Sequence, residues 1–414
     1  MKALFIICPS LGIGEVYTAV RLSEQLSEAG WEVYFLGNEI IGLFEEIKKE
    51  NRWVLSNDSN YNYSLLEELV QRVNPDMFIF TDYNMYIKNS YMNFAFDFGW
   101  LQNYDISCTV IDTIGNCGYK DDYSAIYEDK KTILTLPDWV DAILRPVPPH
   151  DPVKTISENL IYFPVFLKSE NISAEDKIIL RQEFKVSQDS KLVIFPLGHW
   201  IKIVAGKVEN RLYQHMIRII LYFFNRLEYD IELVLLGDTS WNSGEYKNVS
   251  LRTDLAELPF FKTEELIGIS DLVITINRFS NSLGRAARYK VPAISLRNSY
   301  DITVSEGRII TGLDYGITPF INKILRLVTE NNGTVKRFSI FPEFDTGIIN
   351  EFYDKNPRFA GIIPTCEIFD QEGTVNMMKK LLSEGKKELV EKQTAFISSA
   401  NKQIPVDKQL MRLI

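Results

Sequence analysis

The segment 271–296 constrains the fold more than any other, because it predicts a strand, a polar turn, a helix and a second strand in that order. The run Asp271–Asn277 is mostly apolar, as expected of a buried strand, and Pro292 opens the second apolar run after an amphipathic stretch. A turn between a parallel strand and the next helix lies at the carboxyl edge of the sheet. There the helix N-terminus presents unpaired N–H groups and the positive end of its dipole. The turn is therefore predicted to bind a phosphate or a carboxylate.

A second unit of the same kind opens the chain. Lys2–Cys8 is a near-continuous apolar run, and the loop after it contains Gly12 and Gly14, which can adopt backbone angles closed to other residues. Val16–Ala29 then places apolar side chains on one helical face. The glycines do not complete the G-x-G-x-x-G dinucleotide pattern, because Tyr17 stands where the pattern has its third glycine. This segment predicts a βαβ unit with a glycine-containing first turn.

Strand and helix patterns alternate along the 414 residues, a length that fits two domains better than one core. We predict an α/β protein with two Rossmann-like parallel-sheet domains that face each other across a cleft. The strand at Ala142–Arg145 is expected to end the first sheet, because four prolines occur within Arg145–Pro152. Residues 300–365 have little periodicity and are predicted to be an elaboration of the second domain. The expected division is an N-terminal domain over 1–165, a linker over 166–188, a C-terminal domain over 189–372, and helices over 373–414 that pack back towards the N-terminal domain.

Composition excludes several classes of protein. A net charge of −10 argues against nucleic acid or an anionic membrane as a partner. No apolar run approaches the roughly 20 residues that span a bilayer, and the chain enters its first strand without a leader. The cysteines form no metal-binding spacing, and only three histidines are present. These features predict a cytoplasmic protein without a metal site, acting on small molecules; they leave open a homodimer. The four cysteines are Cys8, Cys108, Cys117 and Cys366.

Two open α/β domains joined by a linker that follows a proline-rich segment resemble the GT-B fold of nucleotide-sugar glycosyltransferases. Gly12-Ile-Gly14 and the helix after it look like the N-terminal opening of UDP-glycosyltransferases and of the peptidoglycan glucosaminyltransferase. Asp271–Thr275 with Ser280–Pro292 looks like the donor-binding element of the same enzymes. The resemblance implies an acceptor-binding first domain and a donor-binding second domain. It also implies that the nucleotide sugar is a substrate and that no separate cofactor is used.

The chain departs from this family at two positions. Glu15 stands where the relatives carry a histidine after the glycine pair, and Arg285 stands where they carry a glutamate that holds the ribose hydroxyls. A guanidinium only donates hydrogen bonds and favours phosphate or carboxylate. Arg285 is expected in the first turn of its helix, where it opposes the dipole and a bound anion would stabilise it.

Each candidate residue has a functional and a structural interpretation. Glu15, Asp82 and Asp112 are candidate general bases for an acceptor, but carboxylates also complement helix dipoles and cap turns. His199 is a candidate diphosphate ligand or acid–base group, and its alternative is packing beside Trp200. Ser280 suits an N-cap, which is compatible with anion binding. The candidate catalytic residues are Glu15, Asp82 and Asp112, and the candidate donor-binding residues are Gly12, Gly14, His199, Gly237, Arg278, Ser280, Asn281, Ser282 and Arg285.

We therefore expect an enzyme that moves a sugar from a nucleotide-activated donor to a small-molecule or envelope acceptor. Direct displacement with inversion and without a metal ion is expected, because the helix N-terminus and an arginine can stabilise the leaving diphosphate. Two alternatives stay open. One is a GT-B enzyme of different chemistry, such as an epimerase or a ligase, and the other is a non-catalytic binding protein of the same fold.

Overall fold

The computed structural model describes residues 1–7, 14–37, 47–81, 98–115, 117–118, 134–151, 159–197, 211–241, 246–305, 308–310, 312–340, 346–400, 402 and 404–414. They form two compact units, Met1–Leu167 with Ile397–Ile414, and Lys168–Phe396. Each unit is built around one large sheet in which all neighbouring strands are parallel. This confirms the predicted α/β class with two Rossmann-like sheets. No described helix has both the length and the apolar character needed to cross a membrane.

The sheet of the first unit has seven strands in the order β3-β2-β1-β4-β5-β8-β9. The N-terminal apolar run forms an interior strand of this sheet, and its residues Ala3–Ile7 are almost completely buried, as both faces of a parallel sheet require. The strands of this unit, including a separate two-stranded ribbon β6-β7, are β1 (Lys2–Ile7), β2 (Glu32–Gly37), β3 (Arg52–Val54), β4 (Met77–Phe80), β5 (Ser107–Ile111), β6 (Cys117–Gly118), β7 (Leu134–Thr135), β8 (Ala142–Val147) and β9 (Leu160–Pro164).

The expectation that the strand at Ala142–Arg145 ends the first sheet is wrong. It continues to Val147, and β9 adds a further parallel strand with Pro146 opposite Phe163. Beyond Leu144, β8 has a single neighbour, because its pairing with β5 ends there. A proline is tolerated in such a position, since no second ladder needs its missing N–H.

The described helices begin and end at recognisable caps in several cases. Asp58 accepts hydrogen bonds from the backbone N–H groups of Asn60 and Tyr61 at the start of α2. The helices are α1 (Gly14–Glu28), α2 (Ser59–Val73), α3 (Ala174–Glu183), α4 (Arg211–Phe224), α5 (Phe260–Ile269), α6 (Asn281–Arg288), α7 (Pro319–Asn332), α8 (Thr346–Lys355), α9 (Pro357–Gly361), α10 (Gln371–Leu382), α11 (Lys387–Ala400) and α12 (Val406–Leu410). Short 3₁₀ turns lie at Lys49–Asn51, Phe98–Asn103, Thr253–Leu255 and Glu384–Lys386.

The sheet of the second unit has six strands in the order β12-β11-β10-β13-β14-β18. Helix α4 packs a fully apolar face on it, with Ile217, Ile220 and Phe224 inaccessible to solvent. The strands of this sheet are β10 (Lys191–Pro196), β11 (Ile231–Leu236), β12 (Val249–Leu251), β13 (Leu272–Thr275), β14 (Ala293–Arg297) and β18 (Thr365–Glu367).

The described part of the region 300–365 is an elaboration of the second unit. It contains a small antiparallel sheet in the order β16-β15-β17, whose strands are β15 (Ile302–Ser305), β16 (Arg308–Ile310) and β17 (Thr334–Val335). The segment after it crosses the carboxyl ends of two central strands. Asn298 after β14 exchanges backbone hydrogen bonds of 2.9 Å with Phe338, and Asn277 after β13 bridges to Ile340. The elaboration thus lies directly on the sheet edge predicted to bind an anion.

Candidate functional site

The loop 276–280 joins β13 to α6 at the carboxyl edge of the second sheet, and hydrogen bonds within it stabilise its conformation. The N–H of Asn277 donates to Thr275 Oγ1 at 3.0 Å, and the N–H of Phe279 donates to Asn277 Oδ1 at 2.9 Å. Ser280 is the N-cap of α6, and its hydroxyl accepts from the N–H of Ser282 at 3.3 Å. The structure thus places the positive end of a helix dipole at the predicted position, with Asn281 as the first helical residue.

Arg278 provides a buried positive charge within this loop. Its residue is only 6% exposed, its guanidinium carbon lies 3.4 Å from the ring centre of Tyr353, and its Nε has no hydrogen-bond partner. Burial, reinforced by the charge of nearby Arg297, lowers the pKa of the Arg278 guanidinium, which nevertheless remains protonated. The carboxylate of Asp354 is near enough to act in the opposite direction on this pKa, but among the residues that the structure describes neither it nor another carboxylate forms an ion pair with Arg278. An anionic ligand at the start of α6 would supply the missing negative charge.

Arg285 does not lie where the sequence predicts it. The helix α6 ends at Arg288, so Arg285 belongs to the last turn, where a cation complements the dipole and needs no bound anion. Its guanidinium forms an ion pair with Glu264 of the neighbouring helix α5 and stacks on Phe260 at 4.7 Å. Arg288 binds the same carboxylate at 3.0 Å. Because the charge of Arg285 is neutralised within the protein, the family's ribose-binding carboxylate is replaced by a link between two helices.

Gly237 lies at the end of β11, on the same edge. It has a φ of +89°, which favours glycine, and it is followed by the buried carboxylate of Asp238. Asp238 accepts from the hydroxyls of Tyr213 at 3.0 Å and Ser240 at 2.6 Å. These hydrogen bonds stabilise the turn, and the Asp238 carboxylate has its partners within the protein.

In the first unit, Asp112 lies after β5 at the carboxyl edge of the sheet and is 1% exposed. Its carboxylate accepts from the N–H groups of Gly115 at 2.8 Å and Cys117 at 3.1 Å and pairs with Arg145 at 3.3 Å. These contacts cap the turn, as the structural interpretation of Asp112 predicts. They occupy the carboxylate oxygens with which a general base would accept a proton.

Sequence reasoning did not single out His150, which lies beside Asp112. Its Nε2 is 3.0 Å from the backbone oxygen of Asp112 and 3.1 Å from that of Thr113. Burial, with the charge of Arg145, lowers the pKa of His150 to about 3. The imidazole is therefore neutral at physiological pH and donates a hydrogen bond to this turn.

The remaining predicted residues are only partly described. Gly14 is the first residue of α1, and its carbonyl accepts from the Thr18 hydroxyl at 3.1 Å. The backbone of Glu15 lies in the first turn of that helix. The side chain of Glu15 lies outside what the structure describes, as do three whole residues, which are Gly12, Asp82 and His199.

Sequence reasoning also missed Tyr353, which lies in α8 and contacts Arg278. The region 300–365 has no clean periodicity, so no pattern predicted which of its side chains would reach the loop. The only local signal is the aromatic pair Phe352-Tyr353 within an otherwise polar stretch.

The whole chain is similar in fold to several solved structures. The spinosyn forosaminyltransferase SpnP matches with a TM-score of 0.54 and 12% identity, over 100% of this chain and 99% of that chain. The glycosyltransferase VinC in complex with dTDP matches with a TM-score of 0.53 and 11% identity, over 100% and 99% of the two chains. S. aureus MnaA in a co-structure with UDP matches with a TM-score of 0.52 and 10% identity, over 100% and 97%.

These matches confirm the resemblance to GT-B proteins at the level of the fold. No curated protein sequence matches the chain. A family description, by contrast, matches residues 22–412, nearly the whole chain. The chain therefore belongs to the family of unknown function DUF6365, and its fold is that of the GT-B glycosyltransferases.

Proposed function

We propose that the protein transfers a sugar from a nucleotide diphosphate donor, and that the loop 276–280 and the start of α6 bind the diphosphate. The observation that carries this proposal is Arg278, a buried guanidinium without a carboxylate partner among the described residues, two positions before the N-cap of α6. Two structures of similar fold were solved with nucleoside diphosphates, VinC with dTDP and MnaA with UDP. Their agreement in fold supports a diphosphate as the anion.

The chemistry of the proposed site fits the departure of a diphosphate. As the bond between the sugar carbon and the donor oxygen breaks, negative charge grows on the leaving diphosphate. The Arg278 guanidinium and the positive end of the α6 dipole are already fixed within the folded second unit, so they stabilise that charge without reorganisation. We propose that the displacement inverts the sugar carbon and needs no divalent ion.

The acceptor is proposed to bind the first unit, where a carboxylate removes its proton. Glu15, in the first turn of α1, is the proposed base, and Asp82, which follows β4 in the sequence, is the second candidate. Asp112 is better suited to support this edge of the sheet, because its oxygens already bind Arg145 and two backbone N–H groups. In the second unit, Gly237 and Asp238 are proposed to flank the nucleotide base. Because Arg285 binds Glu264, groups other than residue 285 must recognise the ribose.

The proposal is tested by calorimetric titration of the protein with UDP, dTDP, ADP and inorganic pyrophosphate, followed by mass-spectrometric assays with UDP- and dTDP-sugars. We expect at least one nucleoside diphosphate to bind more tightly than pyrophosphate, and its sugar conjugate to be consumed when an acceptor is present. Nucleotide binding with interconversion of the sugar and no acceptor product would instead indicate an epimerase. Failure to bind any nucleotide would refute the proposal and favour a non-catalytic protein of this fold.

A further inference from the structure

The two arginines next to α6 are held in chemically different ways. Arg285 is held by Glu264, whose negative charge cancels its own. Arg278 is held by Tyr353, a neutral side chain whose ring lies 3.4 Å from the guanidinium carbon. An aromatic face attracts a cation through its quadrupole but leaves the net charge of the cation in place. Tyr353 therefore orients Arg278 without consuming the charge that an anion would bind.

Tyr353 also fixes the backbone of the loop. Its hydroxyl donates a short hydrogen bond to the carbonyl oxygen of Arg278. Burial raises the pKa of this hydroxyl, so it stays protonated and remains a donor. One side chain thus holds both the guanidinium and the peptide group of the same residue.

Tyr353 is itself held in place by aromatic packing within the second unit. The ring of Phe352 meets that of Phe279 edge to face at 4.7 Å, which joins α8 to the loop. Phe359 of α9 lies 6.0 Å from the Tyr353 ring and 5.9 Å from that of Phe396 in α11. Because Tyr353 is 4% exposed and surrounded by these rings, it has little freedom to move away from Arg278.

We propose that Tyr353 is the positioning residue of a diphosphate site, holding the Arg278 guanidinium beside the N-terminus of α6 with its charge available to the ligand. This inference rests on the proposed function for the identity of the ligand class, and it assigns a role to the elaboration 300–365. That region supplies the aromatic support that an arginine without a carboxylate partner needs. The ligand is a diphosphate ester or pyrophosphate, because the guanidinium and the helix N-terminus offer two adjacent positive groups.

The test is a double-mutant cycle read out as the dissociation constant of inorganic pyrophosphate. We expect Tyr353→Leu to weaken binding about tenfold, because the ring support of the guanidinium is lost. Tyr353→Phe keeps the ring and loses only the hydroxyl, so we expect a loss of about threefold. Tyr353→Phe also keeps the core filled, which makes it informative even if the leucine variant unfolds. Tyr289→Phe is the matched control, since Tyr289 donates its hydroxyl to Glu264 at the other end of α6.

The cycle separates positioning from general support of the structure. In an Arg278→Gln background, which has no cation for the ring to hold, Tyr353→Leu should change the dissociation constant by only about threefold, because only the hydrogen bond to the backbone of residue 278 is then lost. Equal losses in both backgrounds would show that Tyr353 acts through the fold alone and would overturn the proposal. Unchanged pyrophosphate affinity in both Tyr353 variants, or no binding by the unmodified protein, would overturn it too.

Failure of this inference can be told from failure of the proposed function. If pyrophosphate binding depends on Tyr353 as expected while no nucleotide sugar is bound or consumed, the positioning role stands and glycosyl transfer does not. If sugar transfer is observed and the Tyr353 variants bind pyrophosphate as tightly as the unmodified protein, the transferase proposal stands and the positioning role is wrong.

Discussion

The carboxyl edges of the two sheets carry similar kinds of polar residues, but the charges of these residues are compensated in different ways. At the edge of the first unit, Asp112 and Arg145 neutralise each other, and His150 is held neutral by burial. At the edge of the second unit, Arg278 is buried against Tyr353 and forms no ion pair with a carboxylate among the described residues. Charges that neutralise each other within the protein support the fold, whereas a buried charge without a counter-charge indicates a ligand. The comparison therefore supports the proposed anion binding at the second edge and a structural role for the described part of the first.

The largest expected effect tests whether the first unit provides a general base, although the described charges at its sheet edge neutralise each other. Glu15→Gln should lower kcat for sugar transfer by about 10²- to 10⁴-fold, because the acceptor loses its general base while the donor site is untouched. The measurement is steady-state turnover of the donor identified by titration, together with the affinity for its nucleoside diphosphate. A kcat within about threefold of the unmodified value would exclude Glu15 as the base, and Asp82→Asn would then be the next variant to measure.

The Asp112–Arg145 pair should prove important for stability. Asp112→Asn leaves the mostly buried side chain of Arg145 without its counter-charge, and we expect the first unit to lose about 3 kcal/mol of unfolding free energy in urea. Asp301→Asn is the control, because the Asp301–Arg337 pair has side chains 45% and 60% exposed and should contribute under about 1 kcal/mol. Pyrophosphate binding by the second unit should not change. A fully stable Asp112→Asn protein would contradict the view that this edge is closed by its own charges.

Removing the open charge of the second edge should affect binding more than folding. Arg278→Gln should weaken nucleoside diphosphate and pyrophosphate binding by about 30-fold, the usual consequence of deleting one partner of a buried charged contact. Arg326→Gln, which removes an exposed arginine of α7 in the same unit, should leave both affinities unchanged. Calorimetry gives the affinities, and thermal melting checks that both variants fold. Equal affinity in the Arg278 variant would remove the basis for placing the diphosphate there.

The smallest effect concerns pH. The pKa of His150 falls from 6.5 in the unfolded chain to about 3 in the folded protein. A histidine with a depressed folded pKa stabilises the fold above its unfolded pKa, and this contribution is lost as the pH falls towards the folded pKa. The unfolding free energy should therefore decrease by up to about 1.4 kcal/mol for each pH unit between roughly pH 6 and pH 4.

The control for this prediction is His150→Asn. The amide keeps a hydrogen-bond donor for the backbone oxygens of Asp112 and Thr113 but does not titrate, so the pH slope assigned to His150 should disappear. Identical slopes in the two proteins would show that other groups account for the acid sensitivity. Urea unfolding of both proteins over this pH range provides the measurement.

Local sequence patterns were sufficient for most of the architecture. Apolar runs such as Lys2–Ile7 and Leu272–Thr275 formed buried parallel strands, and Ser280 became the N-cap of its helix. The end of that helix was harder to predict. The chain leaves α6 through Lys290, which adopts a φ of +58° where glycine is the usual signal. The helix also begins directly after Ser280, so Arg285 lies beyond the first turn in which it was expected and belongs to the last.

By itself the sequence determined the two parallel sheets, the position of the turn proposed to bind an anion and the presence of arginines near it. These features follow from the spacing of apolar residues and from cap residues, which act over a few positions along the chain. Only the tertiary structure decided which arginine is paired with a carboxylate and which contacts an aromatic ring instead. Glu264 is distant in sequence from Arg285, and Tyr353 is distant from Arg278. Packing of the chain brings the Glu264 carboxylate to the Arg285 guanidinium and the Tyr353 ring to the Arg278 guanidinium. Charge compensation depends on distances of a few ångströms in space, which no local pattern of residues records.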